Sequence, residues 1–366
     1  MNKITDKAIE VFSPAIVPKG SLLYSFKLSV GKVAFTGIDC YTNEAIFSID
    51  PDGKSNLDFF YYSLPEQIIK NANENIYGAK LLNQELIKNA KLVIPPTKEQ
   101  TAIASFLEQK TTEIDQLIAD KKRLIELYEE EKTAIINQAV TKGIDPDVKM
   151  KDSGIDWLGE IPEHWEVKKI KYVVSKVGSG ITPSGGATVY QSSGIPLLRS
   201  QNIHFDGIKL DDVAYISEEI HDGMSNSKVC EGDVLLNITG ASIGRTYFVE
   251  IGLGEANVNQ HVCILRPNKN ILSKFLYLVL RANVGQEQMR KEQTGSGREG
   301  LNFEMIKNFN LLLFDLSEQQ SIVHHIESEC FFINSKIEKT KKLIDLLSEY
   351  RTALISEVVT GKIKVT

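Results

Sequence analysis

The chain has 366 residues, 42% of them hydrophobic and 25% charged, with a formal net charge of −6, which places it among soluble globular proteins of two or three domains. No apolar run approaches the ~20 residues that a membrane span needs and no secretory signal is legible in MNKITDKAIEVF, so the expected setting is the cytoplasm, with no membrane contact. The acidic balance excludes a nucleic-acid binder that works by bulk charge, because phosphate contact would require lysines and arginines gathered on one face.

In chain order, residues 1–96 read as a globular segment rich in β-branched residues and glycine, and residues 97–150 as one long helix with a linker. Thr97-x-x-Gln100 has the spacing of a capping box, in which two side chains satisfy free amides of the first turn. Ile103, Leu107, Ile114, Ile118 and Ile125 then recur at alternating steps of four and seven, giving one apolar stripe among lysines and glutamates. Residues 151–316 read as a second globular domain. It opens on DSGIDWLGEIPEHWEVKKIKYV (152–173), which holds both tryptophans, Trp157 and Trp165. Residues 317–366 repeat the long helix: Ser317-x-x-Gln320 at its start, then Ile322, Ile326, Ile333, Ile337 and Ile344 along its stripe.

The two halves align. Residues 95–141 match 314–360 without a gap at an offset of 219, LLNQELIKNAKLVI (81–94) lies opposite GLNFEMIKNFNLLL (300–313), and PKGSLL (18–23) faces CEGDVL (230–235) after a small slip. About 45 residues at ~1.5 Å each make a rod of roughly 65 Å, longer than a domain of this size is wide. A rod with one apolar stripe needs a partner rod, and the second copy supplies it. The expected fold is therefore mixed α/β (α+β): globular domains joined by two long helices paired as an antiparallel coiled coil. The opening at Asp152 has no counterpart in the first half. Ile4-Thr5-Asp6 aligns with Ile216-Ser217-Glu218, so material equivalent to roughly residues 153–212 is missing from the first domain.

Enzyme readings find little support. GSGREG (295–300) has the G-x-G-x-x-G pattern but follows a stretch of helical periodicity rather than a strand, and its place in the first copy holds only NIYGAK (75–80). There is no Asn-Pro-Pro-aromatic tetrapeptide to hold a flipped adenine and no phosphate-cradling loop ending in Lys-Ser/Thr. His324 and His325 are adjacent on a helix, so they point about 100° apart and make no metal pair. Cys40, Cys230, Cys263 and Cys330 form no C-x-x-C pair and read as ordinary buried thiols. No catalytic residue, metal or cofactor is expected in the chain.

The order TKGIDPDVKMKDSGIDWLGEIPEHWEV, GSGITP, IPLLRSQNI, GDVLLNITGASIGR and LSEQQSIV resembles the specificity subunit of Type I restriction-modification systems over nearly the whole chain. The resemblance implies two target-recognition domains that each read half of a bipartite DNA sequence. Two helices would measure the unread gap and dock the modification subunits. Those subunits would carry S-adenosylmethionine and methylate adenine, and separate restriction subunits would translocate and cut. The short first domain departs from that pattern. A truncated or silent allele, a recombined gene, and a short form completed by self-association or by another chain all remain open. An inert scaffold that only assembles partners is the alternative function.

In the complete domain, residues suited to base edges and backbone amides suited to phosphates cluster in 176–186, 199–203, 237–245 and 294–302. The candidate DNA contacts are Ser179, Thr182, Arg199, Gln201, Asn202, Thr239, Ser242, Arg245 and Arg298, set against the plainer reading that these are polar turns. Lys168, Lys169 and Lys171 read as a solvated strand edge. From Lys151 to Asp315 there are 17 basic and 20 acidic residues, net 17 − 20 = −3, so the isolated chain is expected to bind duplex DNA weakly and in a salt-sensitive way.

Overall fold

The two amphipathic stretches are single helices, Thr97–Lys142 and Leu316–Val359, in the computed structural model, which describes residues 5, 7, 10, 15–27, 29–74, 80–296 and 300–365. Contacts divide the chain into two units, 1–125 with 338–366 and 126–337, so each long helix gives one part to each unit. Within the first unit, Ile103, Leu107 and Ile114 are buried against Leu354, Val358 and Val359, with Ile118 and Leu347 beside them. Arg351 grips Asp115 through two bonds, Nε to Oδ1 at 2.9 Å and Nη2 to Oδ2 at 3.1 Å. Within the second unit, Ile322 and Ile326 share a core with Ile136, Ala139 and Val140, and Lys132 Nζ reaches Asn334 Oδ1 at 3.1 Å. Rising numbers on one helix meet falling numbers on the other in both units, which is antiparallel pairing. Ile333 and Ile337 are also buried, and Ile125 and Ile344 half-buried. Seven of the ten stripe residues are thus buried and three half-buried, and those of each helix that pack in a described core meet Leu354 and Val358 or Ile136 and Val140 of the other helix.

The helix starts correct one expectation. Ser317 does not act as the cap of a reciprocal box; Asp315, two residues earlier, takes that place. Its Oδ1 accepts from the Ser317 hydroxyl at 2.5 Å, the Ser317 amide at 2.9 Å and the Glu318 amide at 3.0 Å, and these bonds hold the Asp315 carboxyl below the usual carboxylate range. The first helix has Pro96 at that position, whose carbonyl accepts from Glu99 and Gln100 at 2.8 and 3.0 Å. What the copies share is a glutamine: Gln100 Nε2 donates to Pro95 O and Gln319 Nε2 to Phe314 O, at 2.8 and 2.9 Å.

The second unit is built on a four-stranded antiparallel sheet in the order 246–248, 234–237, 262–267, 174–179. A smaller sheet orders 214–216, 195–198, 257–258. The strand Glu166–Lys169 pairs with Asn310–Leu313 just ahead of the second long helix, which places Lys168 and Lys169 on a paired strand. Trp165, fully buried, stacks on Phe314 with ring centres 4.0 Å apart and donates its indole N–H to Glu318 Oε1 at 3.0 Å. His164 Nε2 meets the other oxygen of Glu318 at 2.8 Å. The segment opening at Asp152 is therefore the anchor of this unit to the first turn of a long helix.

The first unit repeats part of that plan. Its antiparallel sheet orders 33–35, 22–25, 46–49, and Gly20 (φ 87°) makes the entry turn that Gly232 (φ 81°) makes in the second unit. In each unit that glycine N–H bonds across the turn at 2.9 Å, to Thr36 O or Val249 O. The helix Leu57–Ile68, capped by Asn56, seats Phe59 on the long-helix seam. Among the described residues of this unit, no strand corresponds to 166–169 or to 174–179. The residues 4 and 6 used in the sequence alignment, and most of 75–80, lie outside the described residues.

Burying a carboxylate at a seam position leaves a charge without a partner and costs several kcal/mol, on the order of 3–5. Ile114→Asp is expected to lower the midpoint of urea unfolding markedly, while the equally drastic Leu117→Asp, at an exposed position of the same helix, leaves it nearly unchanged.

Candidate nucleic-acid interface

Register places three loops at one end of the four-stranded sheet. Ser179 pairs with Cys263 and Asn237 with Val262, so the chain leaves the sheet there at 180–186, 238–245 and 258–261. Gly180 must be glycine, since a Cβ on it would lie 1.6 Å from the Val258 carbonyl oxygen. Thr182 hydrogen-bonds Gln260, whose amide touches His261, and His261 Nδ1 meets Thr239 Oγ1 at 2.6 Å. Asn237, fully buried, donates to Ser200 O at 2.7 Å and to Ser242 Oγ at 3.1 Å, which ties the 199–203 loop to the 237–245 loop. The Leu301 amide donates to Ile238 O at 2.9 Å and brings in the fourth stretch.

The candidate contacts differ in how free their polar groups are. Arg245 is half-buried, and among the described residues its guanidinium has no hydrogen-bonding or ionic partner. Arg199 lies over the Tyr190 ring at 5.9 Å and donates from Nη2 to Asp212 O at 3.1 Å, while its buried Nε has no partner. Gln201 is exposed but donates to Asp212 Oδ2 at 2.5 Å. Asn202 is 2% exposed, accepts from the Arg199 amide at 2.9 Å and donates to Lys209 O at 2.9 Å; it holds the turn that presents Arg199 and Gln201. Ser179 donates to Gly180 O at 3.2 Å. Arg298, with Gly297 and Glu299 on either side of it, lies outside the described residues. The GSGREG stretch begins at the end of a helix, Asn283–Ser296, rather than after a strand.

Sequence reasoning missed the hub of this surface, Asn259-Gln260-His261. Gln260 is exposed and His261 half-exposed, and both join loops drawn from elsewhere. The signal was present as a polar run between two apolar strands, ANVNQHVCIL. Also missed was the support behind the sheet: Arg266 forks onto the fully buried Asp233 at 2.7 and 2.8 Å, and Asp233 Oδ2 accepts from the Cys230 amide at 2.7 Å. That carboxylate raises the Arg266 guanidinium above its ordinary value. Burial pushes the Cys263 thiol up to about 12, so it is an inert core group, whereas Cys230 is exposed. Among the described residues, no group of three His, Cys, Asp or Glu is arranged to hold a metal, and no helix is long and apolar enough to cross a membrane.

A family model described as the Type I restriction modification DNA specificity domain matches residues 1–127 and 162–348. The MjaVIII specificity subunit of Methanocaldococcus jannaschii is 25% identical over 375 residues, covering 99% of this chain and 82% of the relative. The EcoBI specificity subunit of Escherichia coli is 27% identical over 339 residues, covering 88% and 70%. Among solved structures, a chain from work on complex assembly and conformational transition of the type I R-M system superimposes with a TM-score of 0.71 at 14% identity, over 95% of this chain and 83% of that one. The HsdS subunit of Thermoanaerobacter tengcongensis gives 0.55 at 13% identity, over 95% and 82%.

Replacing Gly180 by Ala sets a methyl group against the Val258 backbone, which must shift. Gly180→Ala is expected to disturb the amide resonances of 258–261 and of Thr182 while the long-helix signals stay in place; an unperturbed spectrum around His261 would contradict the close approach.

Proposed function

Because the chain belongs to the family of Type I restriction modification DNA specificity subunits, non-catalytic components that recognise DNA sequence, we propose that its second unit is the reader. The loops knit around Asn259–His261 form its base-reading surface. The observation that carries this reading is the convergence of four polar stretches, three of them bearing glycine and all distant in sequence, on one end of a sheet. Arg245 and Arg199 are the side chains suited to guanine edges, and Gln201 and Gln260 to adenine, by their donor and acceptor geometry. Loop amides and glycines suit phosphate approach.

The long helices, in this reading, are the ruler between half-sites and the docking surface for modification subunits, which bind S-adenosylmethionine and methylate adenine. Two features support docking. In the second unit Phe331 and Phe332 are 71% and 60% exposed, and in the first Leu346 and Tyr350 are 51% and 56% exposed, all on the second long helix and off its seam. The chain would act in the compartment that holds the DNA, bind tightly only within the assembled complex, and also meet restriction subunits where the system has them.

The test is adenine methylation mapped on genomic DNA from cells that express the chain with its modification subunits. A bipartite motif is the expected outcome if both units read. A palindromic motif means that two copies of the second unit read, and an absence of methylation favours the inert scaffold. Arg245→Ala is expected to leave thermal unfolding unchanged and to relax the motif at one position by ~1–3 kcal/mol. An unaltered motif would remove Arg245 from the reading surface.

A further inference from the structure

The first unit presents one strand, Ile46–Ile49, and one segment outside any strand, 91–94, whose counterparts in the second unit are both covered, and covered by one continuous segment. In the second unit, residues 160–179 lay Glu166–Lys169 on Asn310–Leu313 and Val174–Ser179 on Val262–Pro267, with Trp165 locked between them. The partners of those strands recur in the first unit. Residues 91–94 correspond to 310–313 at the offset of 219. Strand Ile46–Ile49 corresponds to 262–265, since it pairs with Leu22–Ser25 as 262–265 pairs with Val234–Asn237. Yet 46–49 has 22–25 as its sole strand neighbour among the described residues, and 91–94 has none.

Exposure follows the missing neighbour. Val93 and Ile94 are 66% and 56% exposed, where Leu312 is 2% exposed. Every residue of 46–49 is half-exposed, where 262–265 is fully buried. Backbone polarity agrees. Gln67 occupies the N–H and C=O of Val93, at 2.6 and 3.3 Å, as Gln288 occupies those of Asn310 at 2.6 and 2.9 Å. Both glutamines clamp the same side of the chain, so Leu92 and Ile94, like Leu311 and Leu313, turn their amides and carbonyls the other way. Among the described residues neither has a backbone partner there. The side-chain receptors are kept too: Asn89 stands where Asn308 receives Lys169 at 3.3 Å, and Glu99 where Glu318 receives the Trp165 indole.

From this we infer that the first unit is an acceptor for a donated two-strand segment. Its occupant is a polypeptide segment carrying a Pro-x-x-Trp-x-Val stretch followed by a second short strand, the chemistry of this chain's own 160–179. The donor adds a strand to 91–94 and another to 46–49, and main-chain hydrogen bonds supply most of the affinity. Its tryptophan is the anchor, stacked at the helix start with its N–H on the Glu99 carboxylate. Strand capture at this edge is separate from DNA reading by the second unit and can fail while that reading stands.

The probe is a fluorescein-labelled synthetic peptide of residues 160–179, titrated onto the full chain and followed by anisotropy. Saturable binding at one site per chain is expected, weakened by about tenfold or more in the peptides Trp165→Ala and Lys168→Pro, the second removing the main-chain donor that pairs with the Leu311 position. The protein variant Val93→Asp, at an exposed position that leaves thermal unfolding unchanged, is expected to weaken it by a similar factor. Failure to saturate at about millimolar peptide, binding of either altered peptide as tight as that of the original, or undiminished binding to Val93→Asp would overturn the inference; the last would mean that the peptide exchanges into the second unit instead.

Discussion

An apolar stripe on a helix of more than forty residues cannot be covered by the small domain beside it, and this constraint organises the chain. Each long helix buries its stripe against the other, in the first unit through Leu107 and Val358 and in the second through Ile136, Val140, Ile322 and Ile326. Because the pairing is antiparallel, the start of one helix always meets the end of the other. Helix Leu57–Ile68 and the Trp165 segment are both placed on such a meeting point. Polar contacts then fix register: the Arg351–Asp115 fork in one unit, Lys132–Asn334 in the other. Exposed pairs of this kind contribute little free energy, so their value lies in excluding slipped alignments of otherwise similar apolar stripes.

The repeated sheet shows which parts of the plan the two units share. Gly20 and Gly232 open the same turn and the three central strands keep the same register. The carboxylate at the turn is the part that differs. In the second unit Asp233 is buried and neutralised by Arg266, whereas Ser21 holds that place in the first and bonds Asp50 Oδ1 at 3.0 Å. A buried aspartate without its arginine would be a heavy liability. Serine at a site with no arginine opposite avoids it, and the smaller domain keeps its turn.

The parts of this structure legible in the sequence are those with local causes. Helix spans followed from the spacing of isoleucines, and the four polar stretches of the reader from glycine, serine and threonine clustering. The parts that were not legible are pairings across long sequence distances. Nothing in the polarity of NVNQH (257–261) near a strand says that Gln260 will meet Thr182, and nothing local says that Trp165 will find Glu318 more than 150 residues away. The helix cap moved from Ser317 to Asp315 for a local reason, since the helix begins at Leu316 and leaves Asp315 at the capping position and Ser317 within the first turn. Asn202 looked like a base reader because its residue type is one, yet burial turned its amide to the backbone of its own loop.

The sheet of the second unit separates its loops from the long-helix seam. Side chains alternate across it. Val234, Leu236, Cys263 and Leu265 face the core shared with Ile136, Trp165 and the long helices. Leu235, Val262 and Ile264 face a separate core with Leu198, Ile203 and Val258. The loops that carry Arg199, Thr239 and Gln260 emerge from the rim where these two layers meet. A substitution in a loop therefore acts on the smaller core beneath it, and the seam feels it only through a sheet whose register is held by its own ladder. The apolar contacts that set the helices lie on the other face of that sheet.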